Sequence, residues 1–531
     1  MRYLSTRDEK ISVSPSEAII MGLAPDGGLF VPDDLDEIRV DYKNMIKKSY
    51  KGMAREIFAK FFPDLIMEIP DIVNKSYDNK FISKEITPLK GNDDIFFLEL
   101  FHGPTCAFKD VALSALPNLI KSAAKKIGFK DKILILTATS GDTGSAAMKG
   151  FSDVSGTGII VFYPGEGISD IQKLQMITQE ADNVRACAIR DNFDAAQRGV
   201  KKILSEEKNI ACGISLSSAN SINIGRLVPQ IVYYFSAYKQ LVETGKINIG
   251  TKISFTVPTG NFGNIMAGWF AREMGLPIGR LICASNKNNV LTDFLLTGLY
   301  DRKREFYKTS SPSMDILISS NLERLLYFTA GSEKTSEYMR ELETKGEYRI
   351  SMEELEKIKQ IFYGCYAEDD EARYAIRDSF YSNNYLLDTH TAVAYAGYKK
   401  MLDEAKEPRI PNVILATASP FKFPKAVLTA IYDNIEGRFY GGGFNGDEGA
   451  FNSYNKKEKE FTDYKIDYKK ENELKDEDCV KYLSKLTKIE PPSQLAGVFT
   501  KKIKNDDLID KNEMKDYIRE KLQDVIGDEY E

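Results

Sequence analysis

The chain has 531 residues, of which 43% are hydrophobic and 28% charged, and it carries a net charge of −6. That length exceeds one ordinary domain, and the balance is that of a globular chain with sizeable cores. So small a net charge argues against a general nucleic-acid binder, which needs a basic field to neutralise phosphates.

Residues 1–95 mix short apolar runs with turns such as Pro25-Asp26-Gly27-Gly28 and a helical stretch near Tyr50–Phe62. They read as an α+β amino-terminal domain. A Gly-Pro turn at Gly103 and Pro104 precedes Lys109, and the apolar run Val111–Ile120 reads as a helix that Lys109 introduces. From residue 96 strands and helices alternate. Apolar run Ile133–Leu136 leads to the turn at Thr139–Gly144 and the helix-like SAAMKGF. Strand Ile159–Tyr163, a helix from Ser169, strand Arg185–Ile189 and helix Phe193–Leu204 repeat the unit. A second series runs through strand Ile214–Leu216, a long helix through Val228 and Pro229 to Leu241, and strand Ile253–Val257. The turn Gly260–Asn264 and the helix-like IMAGWFAREM come next, then strands Leu281–Ala284 and Val413–Ala416. Between those two strands, residues 300–380 read as mostly helical and charged. Such alternation of buried β-rich runs with helices predicts largely parallel sheets covered by helices. The boundaries expected are 1–95, 96–225 for a first α/β lobe, 226–430 for a second, and 431–531 for a charged extension. That extension has a Gly run at Gly441–Gly443 and a helix over Lys511–Val525. It reads as a solvated helical cap, with an oligomer or regulatory surface as the alternative.

Two histidines, His102 and His390, leave little scope for a His-based metal site or a Ser-His-Asp system. No metal is expected, and proton transfer falls to lysine, carboxylates or a cofactor. The six cysteines are scattered with no CxxC pair, as in a reduced cytoplasmic protein. The start MRYLSTRDEK lacks a secretory apolar core, and no apolar run approaches membrane-spanning length.

Ligands of parallel α/β sheets gather at strand carboxyl ends, where helix amino termini present unpaired N–H groups. Three turns sit at such ends. Thr139–Ser145, with Ser140, Asp142 and Thr143, offers hydroxyls and amides for a carboxylate, although strand-to-helix turns are often Gly-rich for steric reasons alone. It lacks the Gly-Lys-Ser/Thr ending of a Walker loop. Gly260-Asn261-Phe262-Gly263-Asn264 permits close backbone approach to a dianion ahead of a helix dipole, and it is not the dinucleotide fingerprint. Thr417-Ala418-Ser419 places two hydroxyls that can face a ring nitrogen. A fourth cluster, Ser217–Asn223 with Arg226, exceeds what helix capping requires and suits an anion. An amine, a phosphate cradle, a hydroxyl for a ring nitrogen and a carboxylate grip together describe pyridoxal phosphate acting on an amino acid.

The motifs resemble those of the threonine synthase family, in the longer form of fungi and many bacteria. They are Tyr3–Arg7, Gly22–Pro32, Phe101–Thr105 with Ala107–Asp110, SGDTGSAA, NSIN with Arg226, GNFGN, and Asp388 with His390–Val393. The resemblance implies a fold-type-II pyridoxal-phosphate enzyme of the tryptophan synthase β-like kind, with two parallel-sheet lobes. It implies that Lys109 bonds covalently to the cofactor and that Gly260, Asn261, Phe262, Gly263 and Asn264 hold its phosphate. Thr417 then meets the pyridine nitrogen, and Asp142 lies against the cofactor. The implied reaction converts O-phospho-L-homoserine and water to L-threonine and phosphate by γ-elimination and β-addition. Ser140 and Thr143 are implied at the substrate carboxylate, with Ser218, Asn220 and Arg226 as candidates for its phosphate. Where the family often has His-Pro-Ala-Lys, this chain has Ser419-Pro420-Phe421-Lys422, which leaves open whether Thr417 or Ser419 faces the ring nitrogen. Thr389 stands where proline is common. The competing expectations are a serine/threonine dehydratase or other lyase of the same fold, and a non-catalytic binding protein on this scaffold. A monomer or homodimer is expected.

Overall fold

The computed structural model describes residues 1–91, 95–139, 141–166, 168–206, 209–404, 410–432 and 474–527. Two six-stranded sheets dominate it, each parallel except for one edge pair. In the first, the strands run in the order Asp507–Ile509, Val184–Ile189, Thr157–Pro164, Lys132–Ala138, Ile214–Ser217 and Asn209–Ala211. The second runs Phe362–Tyr366, Ile278–Ser285, Ile253–Pro258, Asn412–Ala416, Ile95–Glu99 and Leu89–Gly91. Central strands Thr157–Pro164, Ile253–Pro258 and Asn412–Ala416 are buried at every residue, which is why they read as largely apolar runs, with Ser254, Thr256 and Asn412 among the buried polar exceptions.

The amino-terminal region pairs Tyr3–Ser5 with Ser12–Val13 and Phe30–Pro32 in an antiparallel sheet. Ser14 and Glu17 cap helix Pro15–Met21 reciprocally. Helix Tyr50–Phe61 starts at Ser49, whose side chain accepts from Gly52 N–H. Its buried residues Tyr50, Met53, Ala54, Ile57, Phe58 and Phe61 recur at helical spacing. Phe61 meets Phe270 edge-on at 5.5 Å, and one continuous core joins this region to both sheets.

Three features depart from the sequence reading. First, strand Ile95–Glu99, which leads to Lys109, lies in the second sheet beside Asn412–Ala416, not in the first lobe. The 96–225 boundary therefore cuts across the sheets, because parallel pairing joins strands remote in sequence. Second, the run Val111–Ile120 is two helices, Lys109–Leu113 and Leu116–Lys126. Pro117 stands in the first turn of the second, where its missing N–H costs nothing, and the first helix has already ended. Third, residues 474–527 are more than a solvated cap. Asp507–Ile509 completes the first sheet beside Val184–Ile189. Helix Met514–Ile526 buries Met514, Tyr517, Ile518 and Val525 against that sheet, and helix Asp476–Thr487 buries Cys479, Val480, Leu483 and Leu486 in the second lobe's core. The Gly441–Gly443 run falls outside the described residues.

Inside the charged 300–380 stretch, expected to be mostly helical, lies strand Phe362–Tyr366, with helices Leu322–Thr344, Met352–Lys359 and Asp369–Ser382 around it. Among the described residues no helix is long and apolar enough to cross a membrane, and no group of His, Cys, Asp or Glu is arranged to hold a metal ion.

Candidate active site

Lys109 hangs from the seam between two neighbouring parallel strands. Leu100 N–H donates to Ala416 carbonyl at 2.9 Å, Phe108 N–H to Thr417 carbonyl at 2.8 Å, and Ser419 N–H to Cys106 carbonyl at 3.0 Å. The lysine loop and the Thr417–Ser419 turn are thus zipped together. Asp110 braces the loop by accepting from Thr105 N–H at 2.8 Å and the Thr105 hydroxyl at 2.7 Å. Gly103 must be glycine here, since a Cβ would lie 2.4 Å from Asp110 Cβ. Cys106 takes a left-handed φ of 58°, a strained conformation for a side-chain-bearing residue that such bracing sustains.

The Lys109 amine is buried and donates to Ser313 Oγ at 3.1 Å, with Asp142 Oδ2 at 3.4 Å. Burial lowers its pKa to about 8; Asp142 opposes that shift, while Arg226 and Lys422 add to it. Asp142 opens helix Asp142–Phe151 and is contacted on both oxygens. Ser313 Oγ donates to Oδ2 at 3.1 Å, Gln172 Nε2 donates to Oδ1 at 2.9 Å, and Lys422 Nζ is 3.0 Å from Oδ1. Burial pushes the Asp142 carboxyl up, but Lys422 and Lys109 outweigh it and hold the group well below the usual carboxylate range. Thr143 is half-buried in the same turn, and Ser140 lies outside the described residues.

Ser313 belongs to the strand-free segment that crosses the Gly260–Asn264 turn. Its N–H donates to His390 Nε2 at 3.2 Å, so His390 carries its proton on Nδ1, 3.1 Å from Asp388 Oδ1. The Thr391 hydroxyl bonds Asp388 and accepts Thr417 N–H at 3.2 Å. His390 and Ser313 received no role from the sequence, because nothing in local spacing announces that residue 313 meets residue 109. His102 instead pairs with Glu99 at 2.8 Å and faces a cavity of about 560 Å³ whose lining does not include Lys109.

The Gly260–Asn264 turn follows strand Ile253–Pro258 and opens helix Gly263–Glu273. Phe262, at its head, has a left-handed φ of 63°, and no side chain caps the helix. The turn's carbonyls are already engaged: Ser319 Oγ donates to Gly260 O at 2.7 Å, and Asn321 N–H and Nδ2 donate to Asn261 O at 3.0 and 2.9 Å. Asn264 Nδ2 donates to Pro258 O at 2.9 Å, fixing the turn from within. With its carbonyls tied, the amide side and the helix dipole are what the turn offers an anion. A Cβ on Gly260 would lie 2.9 Å from the Ser313 carbonyl, so only glycine allows that approach.

Arg226 lies in the first turn of helix Ile224–Glu243, which Asn223 caps by accepting from Gly225 N–H at 2.8 Å. The Arg226 guanidinium is buried, donates to Ala219 O at 2.5 Å, and forms no ion pair with any described carboxylate. Burial alone lowers its pKa to about 10. Ser218 and Asn220 stand half-buried one turn away, with Asn220 N–H donating to Ser218 Oγ at 3.3 Å. Lys109, Asp142 and Arg226 are therefore brought together electrostatically, while Thr417 is joined to Lys109 through the backbone.

This donor set fits pyridoxal phosphate. It contains a buried primary amine of lowered pKa, an uncapped glycine-bracketed helix start for a phosphate, and the Thr417 and Ser419 hydroxyls, neither bonded to a described residue. The comparisons agree with that chemistry. Residues 2–77 match the family described as threonine synthase N terminus, 83–417 that of the pyridoxal-phosphate dependent enzymes, and 391–465 that of the threonine synthase C-terminal region. The human protein named threonine synthase-like 1 is 38% identical over 460 residues, covering 81% of this chain and 60% of that protein. The chain thus spans about three-fifths of the length of such relatives. The threonine synthase of Saccharomyces cerevisiae is 36% identical over 463 residues, covering 81% of this chain and 89% of that protein. Among solved structures, the yeast threonine synthase superposes with a TM-score of 0.81 at 32% identity, covering 98% of both chains. The pyridoxal-phosphate-bound threonine synthase of Brucella melitensis gives 0.79 at 32% identity, covering 98% of this chain and 99% of that one. From its amino-terminal region through its cofactor-binding fold, the chain belongs to the threonine synthase family of fold-type-II pyridoxal-phosphate enzymes.

Proposed function

We propose that the protein is a threonine synthase, converting O-phospho-L-homoserine and water to L-threonine and phosphate. The observation that carries this reading is Arg226: a buried guanidinium with no described carboxylate partner, close enough to Lys109 to lower its pKa. A buried cation left uncompensated is costly unless a ligand brings the anion. The Gly260–Asn264 turn already provides for the cofactor phosphate, so Arg226 with Ser218 and Asn220 forms a second anion site. A dehydratase acting on serine or threonine has no use for one. The cytoplasmic setting suggested by six unpaired cysteines belongs to the same proposal.

Bound pyridoxal phosphate supplies the electron sink through which protons at the α- and β-carbons become removable. Lys109, with a pKa near working pH, takes the α-proton and then serves at the β-carbon. Its contact with Ser313 keeps the amine in place between those tasks. Arg226 holds the γ-phosphate while its C–O bond breaks and keeps the leaving dianion in the site. Thr143 and the first amides of helix Asp142–Phe151 receive the substrate carboxylate, and Asn261 to Asn264 anchor the cofactor against the helix dipole. The γ-carbon that phosphate has left takes up a proton, water adds at the β-carbon with the retained phosphate positioned to orient it, and Lys109 returns a proton to the α-carbon.

Purified protein loaded with pyridoxal phosphate and given O-phospho-L-homoserine should release threonine and phosphate in equal amounts. Phosphate accompanied by a 2-oxo acid and ammonia, with no threonine, would assign the chain to the lyases of the same fold instead.

A further inference from the structure

We propose that Lys422 is a positioning residue, a permanent counter-charge that occupies one oxygen of Asp142 so that Lys109 stays able to give up its proton. The inference rests on Lys109 being the amine that bonds the cofactor, and it goes beyond the reaction assigned above.

The geometry is that of a shared carboxylate. Lys422 has no exposed surface, and its Nζ has two oxygen partners, Asp142 Oδ1 at 3.0 Å and Thr105 O at 2.8 Å. Lys109 approaches the other oxygen, Oδ2, at the longer distance of 3.4 Å. Lys422 sits in the short 3-10 helix Pro420–Lys422, directly after the Thr417–Ser419 turn. Thr105, whose carbonyl it binds, braces the Lys109 loop through Asp110. One ammonium therefore ties the ring-facing turn, the lysine loop and the Asp142 helix together. Gln172 Nε2 fills the remaining place on Oδ1 at 2.9 Å, so that oxygen is turned away from Lys109.

Charge explains why this matters. A buried lysine facing an undivided carboxylate at contact distance forms a closed ion pair, and its ammonium is held. Here the charged groups around Lys109 are Asp142 from the helix Asp142–Phe151, Arg226 from the helix Ile224–Glu243, and Lys422 from the turn after Ser419. His390 reaches it only through Ser313, whose N–H donates to His390 Nε2. Lys422 itself faces Asp142 and, more distantly, Asp110 and Cys106. Burial discourages the Lys109 charge most, Asp142 pulls against that, and Arg226 and Lys422 push with it, which leaves the amine readier to give up its proton.

The experiment is the pH dependence of the rate at which the full-length chain, freed of cofactor, takes up pyridoxal phosphate, followed by visible absorbance. Only the neutral amine reacts, so the midpoint reports Lys109. The native midpoint should lie near 8. In Lys422→Met the midpoint should rise by about one unit or more, since Asp142 then faces Lys109 alone. Lys422→Arg should restore the native midpoint. Asp142→Asn should lower it, because both like charges lose their screen; general loosening of the site would instead raise it in both variants. An unchanged midpoint in Lys422→Met, or movement of both variants in the same direction, overturns the proposal. If Lys422→Met does not fold, Asp142→Asn and the Asp142→Asn/Lys422→Met double variant carry the comparison, the neutral pair being easier to bury. Removing the lysine from the Asn background should move the midpoint back up, and no movement overturns the proposal. No substrate enters this experiment, so a chain that fails to make threonine leaves its outcome untouched.

Discussion

Burial, Arg226 and Lys422 discourage the charge of Lys109, Asp142 favours it, and Asp142 is shared. Folding buries the amine and lowers its pKa from the ordinary 10.5 to about 8. Between those values the unfolded chain binds more protons than the folded one, so this group adds stability as pH rises through that window. Replacing Lys109 by Met should flatten that part of the stability–pH curve, measured by denaturant midpoints of the cofactor-free protein from about pH 8 to 10. Arg226 makes a separate prediction. Arg226→Met removes charge-assisted hydrogen bonds worth roughly 1.5–3 kcal/mol each, so KM for phosphohomoserine should rise about 10- to 100-fold while cofactor absorbance is retained. Loss of the absorbance with unchanged KM would place Arg226 on the cofactor instead. At this scale the sequence was partly legible. Thr417 stands in a turn rich in hydroxyls, and Lys109, Asp142 and Arg226 stand in the first turns of helices just after segments rich in glycine or hydroxyls, which advertise themselves. Ser313 and His390 do not, since their meeting with Lys109 depends on how residues 302–321 cross the site. Lys422 was visible only as the end of a motif whose first residues differ.

The elements that build the site are strand ends and the turns that follow them. Strand Ile253–Pro258 delivers the Gly260–Asn264 turn, and the segment carrying Ser313, Ser319 and Asn321 ties that turn's carbonyls back. Gly260→Ala would force a Cβ to 2.9 Å from the Ser313 carbonyl, displacing one backbone or the other. Cofactor affinity should fall about tenfold or more, read as the Kd for pyridoxal phosphate, from a strain of about 1–3 kcal/mol. An unaltered Kd would mean the two segments yield freely. Strand and helix alternation was legible because the buried parallel strands are mostly apolar and several lead into turns that begin with Gly or Thr. The break between Lys109–Leu113 and Leu116–Lys126 is hard to see in the sequence, although Pro117 marks it. Apolar residues continue across the break, so hydrophobic content hides it.

At the scale of the molecule, pairing overrides chain order. The strand before Lys109 belongs to the second sheet, and a strand beyond residue 500 closes the first. Composition made the carboxyl-terminal extension look like a solvated cap. Its apolar residues at 514, 517, 518 and 525 nevertheless keep helical spacing and are buried. Ile518→Ala should therefore cost about 2–5 kcal/mol, measured by denaturant unfolding, where a solvated cap would lose almost nothing. Truncation before Asp507 should expose the edge of strand Val184–Ile189 and promote aggregation. On the function proposed above, the whole assembly breaks a C–O bond at one end of an amino acid and adds water one carbon away. The most direct test is turnover of O-phospho-L-homoserine by the cofactor-loaded protein in 18O-labelled water. The label should appear in the threonine hydroxyl and be absent from the newly released phosphate. Label in the phosphate, with homoserine as the product, would mean that water attacks phosphorus and would contradict the account.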